Sequence, residues 1–306
     1  MKIAILGAGA MGSLYASYLI AAHDVSLIDS YKPQVDKINI DGLIKINPDK
    51  SEETFMAKAV LSGTNIGIQD LVIVFVKGLH TYQAMKENLT LIGPNTIVMS
   101  LQNGAGNNKD IRNFVSKRKI IVGTSSHNSV SMELGKFYHS GCGPTNIGPD
   151  YPCNESIADV KIVAHTLTDC GLDVNVIENI QKVLWQKLLV NCGINALSTV
   201  MQCKLGEVYT NPYLWSLCKK IIYECTLVAE ADGTYFDRMD AIEIVKDVCQ
   251  NNASGYASMY QDRINLRLTE IDRINGVVAN LGKEYGISTP NNTILVEQIH
   301  AIEQMY

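Results

Sequence analysis

Several things are missing from this 306-residue sequence, and each absence removes a class of function. Positive charge is not in excess: 26 Lys and Arg face 31 Asp and Glu, a formal charge of −5. Such a chain offers no basic field to displace counterions from a phosphate backbone, so nucleic acid is not an expected partner. Apolar runs such as Leu71-Val72-Ile73-Val74-Phe75-Val76 stop far short of the roughly 18 residues that suggest a membrane span. The N-terminus passes from Lys2 through four apolar residues into a glycine cluster, without the longer apolar region and cleavage site of a signal peptide, and a cytoplasmic protein is expected. The eight cysteines are scattered, with no Cys-x-x-Cys pair. Neither a zinc site nor a redox dithiol is expected from that spacing, and buried thiols are the default.

What is present changes character near residue 178. Before it, short β-branched runs recur at 3–6, 25–28, 71–76, 97–101, 120–123 and 174–177, as buried parallel strands do. Helical stretches at 11–22, 34–38, 81–89 and 157–168 separate several of them. This alternation predicts an α/β fold with a Rossmann-type, doubly wound sheet over residues 1–178. The stretch 129–148 has the Gly and Ser content and alternation of antiparallel hairpins at the sheet edge. From 179 to 306 the period becomes helical, with segments expected at 213–231, 241–250, 269–285 and 293–305, so the second domain should be all-α. There is no internal repeat or low-complexity segment.

The first run leads into Gly7-Ala8-Gly9-Ala10-Met11-Gly12 and then a helix. In a dinucleotide fold the three glycines give a tight turn, close approach to a pyrophosphate, and helix–strand packing, while the helix N-terminus offers free N–H groups to phosphate. A glycine triplet alone is weak evidence. Its position after the first strand, with Asp29 closing the second, strengthens it. A carboxylate there binds ribose hydroxyls and repels a 2′-phosphate, so NADH is favoured, although the nearby Lys32 leaves NADPH open. Lys77, and the turn Gln102-Asn103-Gly104, follow two further strands, where ligands bind in such sheets.

Lys187, Asn191 and Asn195 are spaced i, i+4, i+8, forming one polar line flanked by large apolar residues. Burying these groups unpaired would be costly, which points to a ligand site; a solvent-facing stripe is the equal alternative. A second polar cluster runs from Ser258 to Gly276. Thr269 can cap a helix there, and Arg267 and Glu270 can pair at i, i+3.

These motifs together resemble the ketopantoate reductase family, which includes NAD-dependent D-mandelate and related D-2-hydroxyacid dehydrogenases. The resemblance rests on the glycine loop, Lys77, Asn103-Gly104, Trp-x-Lys-x-x-x-Asn-x-x-x-Asn at 185–195, and Ser-Met-x-Gln-Asp…Thr-Glu-Ile-Asp-x-Ile-Asn-Gly at 258–276. It implies an oxidoreductase that reduces a 2-oxo acid to its D-2-hydroxy acid with hydride from a nicotinamide cofactor; a homodimer is expected because an extended helical second domain often provides a dimer interface. By the same resemblance, Lys187 is the general acid and Glu270 supports the catalytic network or holds a distal hydroxyl. Asn191, Asn195 and Ser258 bind substrate. Gly7, Gly9, Ala10, Met11, Gly12, Asp29, Lys77 and Asn103 serve the cofactor, and no metal is used. Two positions depart from the family pattern: Gly255 and Leu205 stand where substrate-side Asn residues are expected. This leaves ketopantoate and a bulkier branched or aromatic 2-oxo acid as competing substrates. A non-catalytic redox sensor and a β-hydroxyacid dehydrogenase are the alternatives of other kinds.

Overall fold

Strand β1 (Lys2–Leu6) is buried from Ile3 onward and hands the chain to helix α1 (Ala10–Leu19) through the glycine loop. β2 (Asp24–Ile28) and α2 (Lys32–Asp41) follow, then β3 (Leu43–Ile46), β4 (Glu52–Phe55) and β5 (Lys58–Val60). β6 (Leu71–Val74), α3 (Thr81–Glu87), β7 (Ile97–Ser100), α4 (Asn107–Ile111) and β8 (Ile120–Ser125) complete the alternating run. The unit ends with β9 (Asn128–Glu133), β10 (Lys136–Gly141), β11 (Thr145–Pro149), α5 (Asn154–Asp169) and β12 (Val174–Val176). In this computed structural model, which describes residues 1–306, chain packing separates two units: 1–102 with 107–180, and 103–106 with 181–306.

The first unit is built on an eight-stranded sheet of order β12-β11-β8-β7-β6-β1-β2-β5. β1 pairs in parallel with both β2 and β6, so the strand order reverses beside it, which is where ligands bind in doubly wound sheets. β6 and β7 are buried along their whole length, as strands covered on both faces should be. β6 ends at Val74, two residues earlier than its apolar run suggests, leaving Phe75 and Val76 in the loop that carries Lys77.

The hairpin expected at 129–148 is placed differently. β9 and β10 pair antiparallel, but they join β3 and β4 in a separate four-stranded sheet, and only β11 enters the main sheet, antiparallel to β8. β3 and β4 are only four residues each and lie mostly outside the core; β3 is apolar apart from Lys45, β4 is polar up to Phe55, and the pairing of β3 with β10 and with β4 organises them.

The second unit is helical: α6 (Ile180–Met201), α7 (Leu205–Thr210), α8 (Pro212–Ala231), α9 (Arg238–Asn251), α10 (Ser258–Ile264), α11 (Asn275–Tyr285) and α12 (Pro290–Glu303). Its core gathers Leu188, Leu189, Cys192, Ile222, Val245 and Val278. The single helix expected at 269–285 is interrupted. Thr269 Oγ1 accepts from Ile271 N at 3.2 Å, a 3-10 turn occupies Ile271–Arg273, and Ile274 leaves helical geometry before α11 begins. A side-chain turn thus competes successfully with helix at its start. No helix of the chain is long and apolar enough to cross a membrane.

Candidate active site

In the first unit the glycines act by what they leave out. Gly7 has φ +100°, and a Cβ there would lie 2.8 Å from Val76 N on the neighbouring loop. At Gly12 a Cβ would come within 1.9 Å of Gly7 O, so only glycine lets α1 pack on the turn. Gly9 is the opposite case, with nothing within 4 Å of its missing Cβ. It opens onto a cavity of about 460 Å³ whose lining includes Gly7, Gly9, Asp29, Lys77, Gln83 and Glu87. α1 has neither a side-chain cap nor an acidic residue in its first turn, leaving its positive end for an anion. Bare Cα, open cavity and uncapped helix end together fit a dinucleotide. Ala10 and Met11 stand apart from this lining: they pack, partly buried, against the unit's hydrophobic core.

Asp29 faces the same cavity and also organises it. Its Oδ2 accepts from Ala8 N and its Oδ1 from Tyr31 N, both at 2.9 Å. Lys32, the cation that could have served a 2′-phosphate, is engaged by Asp36 at 2.7 Å. Two glutamines reinforce the loops: Gln102, in the turn already noted after β7, and Gln34, which no sequence signal marks. Gln34 donates to Ala8 O at 2.7 Å, while buried Gln102 donates to Val76 O at 2.6 Å and to Thr81 Oγ1 at 2.8 Å, holding the Lys77 loop.

In the second unit the polar line on α6 is neither a solvent face nor an ordinary core face. Gln186 is exposed, Lys187 and Asn191 are partly buried, and Asn195 is only 5% exposed. Burial lowers the Lys187 pKa from its usual 10.5 to about 8, against the opposing charge of Glu270, which raises it. Glu270 precedes the 3-10 turn, and that turn receives the loop of residues 103–106: Ala105 N donates to Arg273 O at 2.8 Å. Gly104 has φ +78°, and a Cβ there would approach Arg273 O to 2.3 Å. Asn103 therefore packs with the unit that carries Lys187 and Glu270. Ser258 stands exposed at the start of α10, and α10 is tied to the end of α6 by Arg263, which donates to Thr199 O at 2.5 Å.

Beneath α6 lies a buried network that sequence reading did not reveal. Asn275 donates to Cys192 O at 3.1 Å and to Asn292 Oδ1 at 3.0 Å, and Asn292 Nδ2 donates to Glu224 Oε2 at 2.8 Å. Asn275-Gly276 was visible as the end of a motif; Glu224 and Asn292 lie in helical segments with nothing to distinguish them. The two departures from the family pattern meet in space, since Leu205 N donates to Gly255 O at 3.0 Å.

Comparison with known proteins agrees with this architecture. The family described as ketopantoate reductase PanE/ApbA matches residues 3–151, and its C-terminal family matches residues 179–303. The 2-dehydropantoate 2-reductase of Streptococcus pyogenes serotype M3 is 30% identical over 305 residues, covering 99% of this chain and 98% of that protein. Among solved structures, the ternary complex of D-mandelate dehydrogenase with NADH and anilino(oxo)acetate superposes with a TM-score of 0.94 at 30% identity, covering 100% of this chain and 99% of that one. A dimeric ketopantoate reductase from Staphylococcus aureus, 21% identical with a TM-score of 0.83, covers 100% of this chain and 99% of that one and shares the fold. The fold and these relatives define the class as a nicotinamide-dependent oxidoreductase acting on 2-oxo acids. The chain belongs to the ketopantoate reductase family, whose members reduce 2-oxo acids.

Proposed function

We propose that the protein reduces a 2-oxo acid to its D-2-hydroxy acid using NADH, with residues 1–178 serving the cofactor and 179–306 the substrate. The observation that carries this reading is the partly buried Lys187, whose pKa of about 8 keeps its ammonium able to give up a proton near neutral pH. Bound at the glycine loop, the nicotinamide would supply hydride to the carbonyl carbon. Lys187 holds the proton at Nζ and delivers it to the carbonyl oxygen, its charge stabilising the alkoxide as it develops. Glu270 opposes desolvation and keeps Lys187 protonated. Asn191, Asn195 and Ser258 orient the substrate, and Asn103 orients the reacting groups. Gly7, Gly9, Gly12 and the start of α1 at Ala10 and Met11 receive the pyrophosphate, with Lys77 beside it. Asp29 takes the ribose hydroxyls; its carboxylate and the engaged Lys32 support NADH over NADPH.

Ketopantoate is the first substrate reading, from the named relatives. A bulkier branched or aromatic 2-oxo acid is the second, and the Leu205–Gly255 contact favours it, because two positions that would carry amides meet there without one. A cytoplasmic homodimer completes the proposal. Eight free thiols support the compartment, and the dimeric relative supports the assembly.

The test is a steady-state screen of ketopantoate, phenylglyoxylate, 2-oxoisovalerate and pyruvate with both cofactors, for wild type and Lys187→Ala. Turnover should fall by about two to four orders of magnitude in the variant while cofactor still binds. NADH bound but never oxidised across the panel would instead identify a sensor.

A further inference from the structure

Away from the glycine cavity, three potential metal ligands converge in the first unit. His127 lies between β8 and β9, His139 on β10, and Cys142 in the loop after β10. His127 Nδ1 stands 3.1 Å from His139 Nε2, and Cys142 Sγ lies 3.7 Å from the same Nε2. All three ligand atoms fall within 4.8 Å of one another. Around a tetrahedral zinc, with Zn–N near 2.0–2.1 Å and Zn–S near 2.3 Å, two nitrogens should be about 3.3 Å apart and a nitrogen and a sulfur about 3.6 Å. The two measured edges match that polyhedron to within a few tenths of an ångström.

We propose that His127, His139 and Cys142 form a binding site for a borderline divalent transition-metal ion of the zinc type, with the fourth position open to solvent.

The backbone explains why residues 139 and 142 can serve one ion. In a regular strand, side chains three positions apart point to opposite faces. Here the β10–β9 register shifts between His139 and Gly141, which pair with the successive residues Ser129 and Asn128. Ser140 is the extra residue of a bulge, so Cys142 is in effect two positions from His139 and returns to its face. The loop is also held in place. Ser126 N donates to Pro144 O at 3.0 Å, and a Cβ on Gly143 would stand 2.8 Å from Ser126 Cβ, so only glycine allows the Cys142 loop to lie against the segment that carries His127.

The chemistry of the donors agrees. Lys45 lies close enough to act electrostatically on His139. A backbone hydrogen bond at Gly141 involves His139, the usual way a ligating ring is oriented. Lys45, the nearby cation, is itself held by Glu53 at 3.2 Å, so its charge is offset. Buried His127 Nε2 has no partner, so the polar contact of that ring is directed at the cluster. On binding, the Cys142 thiol releases its proton to solvent and its sulfur takes the metal as thiolate. The proton between the rings moves to the far nitrogen of His127, and no redox change occurs.

The experiment uses the full chain, stripped with chelator and titrated with Co²⁺ as a spectroscopic stand-in for zinc. About one equivalent should bind, with visible bands of tetrahedral intensity and a near-ultraviolet thiolate-to-cobalt band, and zinc should displace it. Cys142→Ser, at an exposed position, should abolish the thiolate band. His139→Gln and His127→Gln should each weaken binding by about tenfold or more. Activity without metal should be unchanged in Cys142→Ser, which also shows that the variant is folded; should a histidine variant misfold, alkylation of Cys142 in the wild type gives the second reading. Absence of stoichiometric binding, or a thiolate band that persists in Cys142→Ser, overturns the proposal.

Discussion

Glu270 pulls against the burial of Lys187 and loses: the carboxylate raises the lysine pKa, desolvation lowers it by more, and the balance settles at about 8. Glu270→Gln removes the opposing charge. The Lys187 pKa should then fall below 8, and because the proposed proton transfer needs the protonated form, the alkaline limb of the kcat profile should move to lower pH. A limb that stays in place or moves upward would separate Glu270 from Lys187.

The same lowered pKa makes Lys187 a cost to the fold. Its folded value of about 8 lies below the usual 10.5, so between those limits the unfolded chain binds more protons and stability rises with pH. Lys187→Met should therefore stabilise the protein by about 1–3 kcal/mol at pH 7, with the gain shrinking as pH climbs from 8 toward 10.5. Denaturant midpoints measured across that range check both sign and window.

Gly9 and Gly12 should separate ligand binding from folding. Gly9→Ala places a methyl in open space, so the melting temperature should stay close to wild type while the Kd for NADH rises, by about tenfold or more. Gly12→Ala drives Cβ into Gly7 O and should destabilise by about 3 kcal/mol or more. Equal melting temperatures for the two variants would contradict the packing described here.

Asp29 should act on cofactor choice. Asp29→Ser removes the charge that would repel a 2′-phosphate, and the ratio of kcat/KM for NADH over NADPH should fall by about tenfold, or about 1.4 kcal/mol. Wild-type enzyme that prefers NADPH would reverse the role given to this residue.

Glu224 accepts four hydrogen bonds, from the backbone and side-chain nitrogens of Asn291 and Asn292 at 2.5–3.0 Å. Glu224→Gln would turn an amide NH₂ toward donors and should cost about 2–4 kcal/mol. A lower denaturant midpoint with an unchanged m-value is the expected result.

The parts legible in the sequence were those whose residues state their own environment. β6 and β7 are unbroken apolar runs because both faces are covered, and Gly7, Gly9 and Gly12 follow the first strand at a spacing that only backbone demands explain. The line Lys187, Asn191, Asn195 was visible as a helix pattern, but its burial was not, since polar spacing is the same on a wet face and in a site. β3 and β4 were missed because their order comes from pairing with a distant strand. The helix expected from Thr269 failed because one hydroxyl redirects the backbone, and Ala10 and Met11 packed inward because the motif fixes backbone roles, not side-chain directions. The cluster of His127, His139 and Cys142 has no ligand spacing to read; a bulge and a loop contact create it.

The short loop at residues 103–106 leaves the sheet unit, rests on Arg273, and returns at Asn107. The boundary between the units is therefore crossed by three separate lengths of chain. No single cut can yield both halves whole: a fragment starting at residue 179 would lack the segment that supplies Ala105 N to Arg273 O, and the turn beside Glu270 would lose its brace. The helical unit is thus a discontinuous one, completed by four residues borrowed from the middle of the other.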